Sequence, residues 1–380
     1  VNNLLQNIPF ELHQSLHNVI TFFQNNYPKV TLYLVGGAVR DMVMGREVYD
    51  LDIECFGIDP EAFDDAMQKL GAKGVGKSFF VYKYGLLDLA LPRIERKVGE
   101  GHRAFEVELA YDTKEASRRR DFTMNALMLD LKTGQIIDHW GGLEDIKNRL
   151  IRVVDTQKFQ EDSLRVLRAM QFSARLKFKI EPQSLKIMQA MDLSDLTHER
   201  IFWEFEKLFH APWLHYGLYA IMRLQIDRKI LGRTIPKGAF FSIAYELQKA
   251  RRNGNQALSS YYFLYVLANA LYTSELKLCE TIHTPNHYKK LYKTQKHIPK
   301  QITDRFLGAL ALRYPIKGWL GNYRSGICER AQALHIYDEP FDPKVRPADL
   351  IQEGYQGKTL GKELRRRTLQ AIRQNFRALS

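Results

Sequence analysis

Residues 32–57 read LYLVGGAVRDMVMGREVYDLDIECFG: an apolar run stops at Gly36-Gly37, Arg40 follows, and a second apolar run carries Asp50 and Asp52. In a strand, residues i and i+2 point to the same side. The two carboxylates therefore repel each other unless a cation lies between them. Oxygen ligands of this kind suit a hard divalent ion such as Mg²⁺, which keeps part of its water. Upstream, the glycine pair lets backbone N–H groups approach a phosphate, and Ala38 to Met44 begins a helix whose N-terminus favours anions. Arg40 lies one turn into that helix, within reach of a phosphate or ribose oxygen. A phosphate cradle beside a metal site is the arrangement of metal-assisted phosphoryl transfer.

Three further segments extend this chemistry. LLDLALP (86–92) plants Asp88 in an apolar strand; laid beside 48–57, that strand completes an acidic trio. SRRRDFTMNAL (117–127) offers Arg119 or Arg120 to a triphosphate through charge-assisted bonds. Asp121 can cap the helix expected to follow, and Asp121 and Asn125 face ribose or hold the loop. In FQEDSLRVLRAMQFSARLKF (159–178), Asp162, Arg165 and Arg168 form a polar stripe opposite Leu164, Leu167, Met170 and Ala174 on a helix. Singly, each segment has an ordinary structural reading: a solvated strand-end turn, an edge-strand aspartate, a basic turn, an i,i+3 ion pair. Their combination is what points to a nucleotide.

The elements that must position these residues follow from periodicity. Strands are expected at 31–35, 48–57, 79–85, 86–92, 105–109, 126–130 and 135–142, with 79–92 as a hairpin and Lys-Thr-Gly as the turn between the last two. VNNLLQNIPFELHQSL lacks the basic start and long apolar run of a secretory signal and reads as an amphipathic helix. After about residue 145 helical periodicity takes over, with breaks near Pro236–Gly238, Asn253–Asn255 and Pro340–Pro347. The expected fold class is α+β followed by an all-α part, in two or three domains for 380 residues. With no apolar run of about 18 residues, no membrane helix is expected. Cys55, Cys279 and Cys328 are too scattered for a zinc knuckle or a disulfide framework, which fits a reducing, cytoplasmic compartment.

A net charge of +13 and a pI near 9.4 suit a polyanionic partner. Residues 281–300 hold five lysines and no acids, with Lys289, Lys290 and Lys293 interleaved with Tyr288 and Tyr292. Residues 341–380 hold nine Lys/Arg against four Asp/Glu, densest at Arg365, Arg366 and Arg367. Either patch is a solvated helix face or a contact for the backbone of A-form RNA, which is read mainly through phosphates and 2′-OH groups.

GGAVRD…DLD, RRRDFTMNAL and EDSLRVLRA, in this order, resemble the class II tRNA nucleotidyltransferase family, the CCA-adding enzymes and related bacterial poly(A) polymerases. The likeness covers residues 31 to about 180. LTHERIFWEFEKLF (196–209) resembles the next family segment and RPADLIQEGYQGKTLGKEL (346–364), more loosely, the family's tail. The resemblance implies a polymerase-β-like nucleotidyltransferase head with a mixed sheet at 1–146, a helical neck at 147–212, a helical body at 213–340 and a tRNA-binding tail at 341–380. It implies Mg²⁺ on Asp50 and Asp52, with Asp88 as third catalytic carboxylate. Gly36, Gly37, Arg40, Arg119, Arg120, Asp121, Asn125 and Arg168 would bind the nucleotide, and Asp162 and Arg165 would read its base. One Asp acceptor and one Arg donor complement the amino group and ring nitrogen of both cytosine and adenine, and mismatch uracil and guanine. The implied partners are the tRNA 3′ end at the acceptor stem, CTP and ATP, with no membrane and the oligomeric state open.

Within the family, residues 75–99 resemble the CCA-adding pattern rather than the G-R-R-F of poly(A) polymerases. The long segment 92–117 also favours full CCA addition. A-adding is the next reading, followed by CC-adding, poly(A) synthesis and a non-catalytic RNA-binding relative. No H…HD pattern of an attached phosphohydrolase domain is found.

Overall fold

The structure is a computed structural model that describes residues 8–76, 81–97, 105–252 and 258–376. Two compact units emerge: residues 1–197 with 223–225, and residues 198–222 with 226–380.

The first unit runs α1 (Phe10–Asn26), β1 (Thr31–Val35), α2 (Gly37–Val43), β2 (Leu51–Phe56), α3 (Pro60–Leu70), β3 (Lys73–Gly76), β4 (Val81–Tyr84) and β5 (Leu87–Ala90). It continues with β6 (Arg93–Lys97), β7 (Phe105–Leu109), α4 (Thr113–Arg118), β8 (Met128–Asp130), β9 (Ile136–Ile137), α5 (Gly142–Asn148) and β10 (Leu150–Ile151). It ends with α6 (Thr156–Gln160), α7 (Leu164–Leu176), β11 (Lys179–Ile180) and α8 (Pro182–Ala190). Strands in the order β3-β4-β5-β2-β1-β8-β9 make a mixed sheet. β2 and β5 run parallel; the other neighbours are antiparallel.

Strand alternation divides this sheet into two faces with different tasks. Leu32, Leu34, Leu51, Ile53, Cys55, Leu87, Leu89 and Leu129 point to one side and join residues of α1, α2 and α3 in the main core. Burying each such aliphatic side chain contributes about 1.5–3 kcal/mol, which fixes the register of β1, β2 and β5. The intervening residues then have no choice of side. Tyr33, Val35, Asp52, Glu54, Phe56 and Asp88 fall on the opposite face. There a smaller cluster of Val35, Phe56, Ala110, Ala116 and Met128 seats α4. Asp112 caps α4 by accepting from the Glu115 N–H at 2.8 Å, and the helix ends at Arg118, which delivers Arg119 and Arg120 to the acidic side of the sheet.

The expected strands at 31–35 and 105–109 are present with those bounds, and those at 48–57, 86–92, 126–130 and 135–142 are present with shortened ends; of FFVYKYG, residues 79 and 80 lie outside the described residues. KGVG and RIERK, too poor in apolar residues to read as strands, form β3 and β6, the latter paired with β7. Past residue 145 the chain is not wholly helical: β10 and β11 pair in parallel over two residues each. Two local expectations are corrected. The helix expected after Asp121 is a single 3₁₀ turn at Thr123–Asn125, with no side-chain cap. The helix expected through Asp162 begins only at Leu164, so Asp162 precedes it.

The second unit is helical: α9 (His198–Phe209), α10 (Leu214–Arg223), α11 (Ile226–Lys229), α12 (Lys237–Arg252), α13 (Tyr262–Ala270), α14 (Glu275–Thr281), α15 (Asn286–Tyr292), α16 (Asp304–Ala311), α17 (Ile327–Ala333), α18 (Pro347–Gln352) and α19 (Gly357–Asn375). Leu307, Ile316, Trp319, Ile327, Ile372 and Phe376 anchor one core, joining α16, α17 and the end of α19. Among the described residues no helix is long and apolar enough to cross a membrane.

Candidate nucleotide site

The parallel pairing of β2 with β5 sets Asp52 directly beside Asp88. Asp50 stands exposed just before β2, near enough for its charge to act on Asp52. The acidic trio expected from sequence is therefore gathered at one place on the sheet. Asp52 is exposed, but it sits in the wall of a cleft, and loss of hydration there is the leading cause that raises its pKa. The Arg120 charge opposes that rise, while Asp50, Asp88 and Glu54 reinforce it. Lys83 on β4 lies opposite Asp88, its ammonium 2.8 Å from Oδ1.

These carboxylates fit a hard cation. They are all-oxygen donors on adjacent positions of a rigid sheet. Among the described residues no group of three or more His, Cys, Asp or Glu forms a metal cage. Mg²⁺ needs none, since it is bound through one or two carboxylates, waters and substrate phosphates.

Next to this trio opens a cavity of about 430 Å³. It is lined by Gly37, Arg40, Asp52, Arg119, Arg120, Asp121 and Asn125 from the head strands and loops. Asp162, Leu164, Arg165, Arg168, Phe172 and Arg175, from the start and one face of α7, complete it. Six arginines thus face three carboxylates, a surplus of positive charge that suits a polyphosphate.

Each guanidinium is held by identifiable bonds. Arg40 is only 3% exposed; it donates to Asp41 from Nε (3.1 Å) and Nη2 (2.8 Å) and to Asn125 Oδ1 from Nη1 (2.5 Å). Its first job is therefore to join α2 to the 3₁₀ turn, and it meets the cavity from that fixed position. Asn125 donates in turn to Asp121 Oδ1 at 2.9 Å, which also accepts from the Phe122 N–H at 2.8 Å. Arg168 donates to Asp121 Oδ2 at 2.6 Å. Burial by itself would raise the Asp121 pKa; the Arg168 charge, the bonds from Asn125 and Arg168, and the Arg165 charge outweigh it and hold the carboxyl below its ordinary value. Asp121 thus holds the loop rather than capping a helix.

At the start of α7, Asp162 Oδ1 accepts from the Leu164 N–H at 3.2 Å. Arg165 donates to the carbonyls of Lys158 and Arg119, both at 2.8 Å, and lies 5.9 Å from the Phe159 ring. Both side chains are fixed against backbone, so they meet a ligand pre-set. Gly36 has φ +75°, and a Cβ there would stand 2.7 Å from Arg120 Nη1. Only glycine permits both that backbone and that approach.

Sequence reading did not single out Glu54, Phe172 or Arg175. Glu54 continues the i, i+2 series of Asp50 and Asp52, a signal that was there to be read; it is buried and accepts from Arg119 Nη2 (2.9 Å) and Arg120 Nη2 (3.1 Å). Phe172 and Arg175 lie four and seven residues after Arg168, on the same helix face. The Phe172 ring lies 5.1 Å from Arg40, 5.3 Å from Arg168 and 5.7 Å from Arg175.

The residues expected to meet RNA lie in the second unit. Tyr288 and Tyr292 are buried at 1% and 4% exposure, so the aromatics interleaved with Lys289, Lys290 and Lys293 belong to the core and not to a base-stacking surface. Tyr288 packs against Phe202 and Phe209, and Tyr292 Oη donates to the Tyr261 carbonyl at 2.7 Å. Lys290 and Lys293 are exposed and Lys289 half-buried. On α19, Arg366 is paired with Glu363, Arg367 with both Glu363 and Glu353, and Arg365 is exposed.

Residues 32–152 match the model of the poly(A) polymerase head domain. The chain is 38% identical over 192 residues to the multifunctional CCA protein of Vibrio vulnificus, covering 48% of this chain and 46% of that protein. It is 30% identical over 282 residues to the CCA-adding enzyme of Streptococcus agalactiae, covering 71% and 65%. The chain spans about half the length of the first of these relatives. In fold it is similar to the Thermotoga maritima CCA-adding enzyme complexed with tRNA, with a TM-score of 0.67 at 21% identity over 98% of this chain and 93% of that one. It is also similar to the Bacillus stearothermophilus CCA-adding enzyme in complex with CTP, with a TM-score of 0.63 at 22% identity over 95% and 93%. With its motifs gathered around one cavity, this protein carries a poly(A) polymerase head domain at residues 32–152 and is similar, in sequence and in fold, to CCA-adding enzymes.

Proposed function

We propose that this chain adds CCA to tRNA 3′ ends from CTP and ATP, without a nucleic-acid template and with release of pyrophosphate. The observation that carries the proposal is one cavity lined together by Arg119, Arg120, Asp52 and the Asp162–Arg165 pair, with Asp88 paired beside Asp52. The CCA-adding relatives, and solved structures described as complexes of such enzymes with tRNA, CTP and ATP, support the same reading.

Asp50 and Asp52 would hold Mg²⁺, with Asp88 alongside; bound there, it would activate the primer 3′-OH and offset charge at the α-phosphate as pyrophosphate leaves. Arg119 and Arg120 bind the triphosphate, and Gly36 and Gly37 leave room for it against the backbone. Arg40, Asp121, Asn125 and Arg168 form the bonded frame that keeps the cavity open. Asp162 accepts from the exocyclic amino group of C or A, and Arg165 donates to the neighbouring ring nitrogen. U and G present a carbonyl and an N–H at those points, so each buried mismatch costs about 1–3 kcal/mol. The exposed lysines of α15 and Arg365 of α19 contact the tRNA backbone. The division into head, neck, body and tail at 146, 212 and 340, and a cytoplasmic location, belong to the same proposal.

Competition binding tests it. CTP and ATP should displace one another from one site on the chain, and GTP and UTP should not compete at the same concentrations. Two independent sites, or equal binding of all four, would overturn the proposal.

A further inference from the structure

A carboxylate buried beside a triphosphate site repels the ligand, so Glu54 requires an explanation. It is 3% exposed and sits on β2 two residues beyond Asp52, on the same face. A single oxygen, Oε1, accepts from Nη2 of Arg119 at 2.9 Å and Nη2 of Arg120 at 3.1 Å. Those arginines are consecutive in sequence and repel each other. They also follow the last residue of α4, where nothing in the helix itself dictates the direction of a long side chain.

We propose that Glu54 is a positioning residue: it clamps Arg119 and Arg120 side by side on the sheet and orients the pair toward the triphosphate. The geometry supports this in three ways. A guanidinium carries five N–H donors, and the clamp uses one from each. The clamp holds Arg120 where Nη1 would stand 2.7 Å from a Cβ on Gly36, with Asp52 Oδ2 4.0 Å from the same point, so the guanidinium and Asp52 both meet the glycine turn. Both arginines line the cavity, and Glu54 does not. Glu54 therefore acts through them and touches no substrate. The inference rests on the reading of this cavity as a nucleoside triphosphate site.

The test uses the full chain and two probes, inorganic tripolyphosphate and CTP, with binding measured by calorimetry and KM and kcat by primer extension. Glu54→Gln keeps the length and an acceptor oxygen; Glu54→Asp keeps the charge but withdraws the acceptor by one methylene; Glu54→Ala removes both. Expected are Kd values for tripolyphosphate raised about tenfold or more in the Asp and Ala variants, a smaller rise in the Gln variant, and KM for CTP raised more than kcat is lowered. Should the Ala variant fail to fold, the Asp and Gln variants carry the comparison. Unchanged Kd and KM in the folded variants, or a Gln variant as impaired as the Asp one, would overturn the inference while leaving the nucleotide site intact. A wild-type chain that binds neither probe would overturn the nucleotide reading and this inference with it.

Discussion

Asp52, Asp121 and Arg165 illustrate three different tasks for charge in one cavity. Asp52 is open to the cleft and, among the described residues, makes no hydrogen bond or ion pair, so Asp52→Ala should lower the extension rate by at least about 10²–10³-fold, the scale of losing one preorganised electrostatic group. Its circular dichroism and melting temperature should match wild type. A near-normal rate would break the assignment of the acidic trio. Asp121 has the opposite character. Its folded pKa is depressed, so the stability from its charged form is present above the unfolded value of about 3.9 and is lost as pH falls through the lower folded value. Asp121→Asn should therefore cost about 1–3 kcal/mol at neutral pH and show a weaker loss of stability in acid than wild type, as read from urea midpoints between pH 7 and pH 2. A variant with the wild-type acid profile would remove Asp121 from the frame. Arg165 is fixed by two backbone carbonyls. Arg165→Ala should alter preference among the four nucleoside triphosphates more than the rate with the best one, and an unchanged preference would end the base-reading role.

Strand β2 shows how an element converts a pattern into a site. Leu51, Ile53 and Cys55 are drawn to the helical core, and Asp52 and Glu54 are left on the other face by alternation alone. Ile53→Ala should cost about 2–5 kcal/mol of stability through the cavity it leaves, without a selective effect on nucleotide binding. Gly36→Ala, at the end of β1, should do the reverse. It strains a positive φ and presses on Arg120, so nucleotide affinity should fall further than stability. Calorimetric CTP binding beside thermal melts would separate the two; a Gly36→Ala chain with wild-type affinity would contradict the cradle. The same physics explains what was legible. Alternation and the turn glycines revealed β1, β2, β5 and the face of Asp50, Asp52 and Asp88, because burial of aliphatic residues leaves a period of two in the sequence. KGVG and RIERK carry no such period, and neighbouring strands make them strands. Asp162 was expected within a helix, but its carboxylate bonds the Leu164 N–H at the start of one, a local competition that periodicity does not register. Glu54 shares the pattern, but its role is not legible in the sequence, since only the folded chain brings it to arginines 65 and 66 positions away.

For the whole molecule, charge is the property that reaches beyond the cavity. A chain of net charge +13 should bind tRNA more weakly as salt rises, in proportion to the phosphates it neutralises. Pairing decides which arginines of α19 count. Arg366 and Arg367 already meet Glu363 and Glu353, whereas Arg365 is exposed. Arg365→Glu should weaken tRNA binding and reduce the salt slope while leaving CTP affinity unchanged; equal tRNA affinity at every salt concentration would place the RNA elsewhere. The central claim is that one cavity serves C, C and A in turn and then stops. Its most direct measurement is product length on a tRNA transcript lacking all three terminal nucleotides, supplied with the full chain, Mg²⁺, CTP and ATP. Three added nucleotides and no more, ending in A, is the predicted result. Extension only of transcripts already ending in CC would restrict the chain to A addition, and a ladder of adenylates, or no extension of any transcript, would contradict the account.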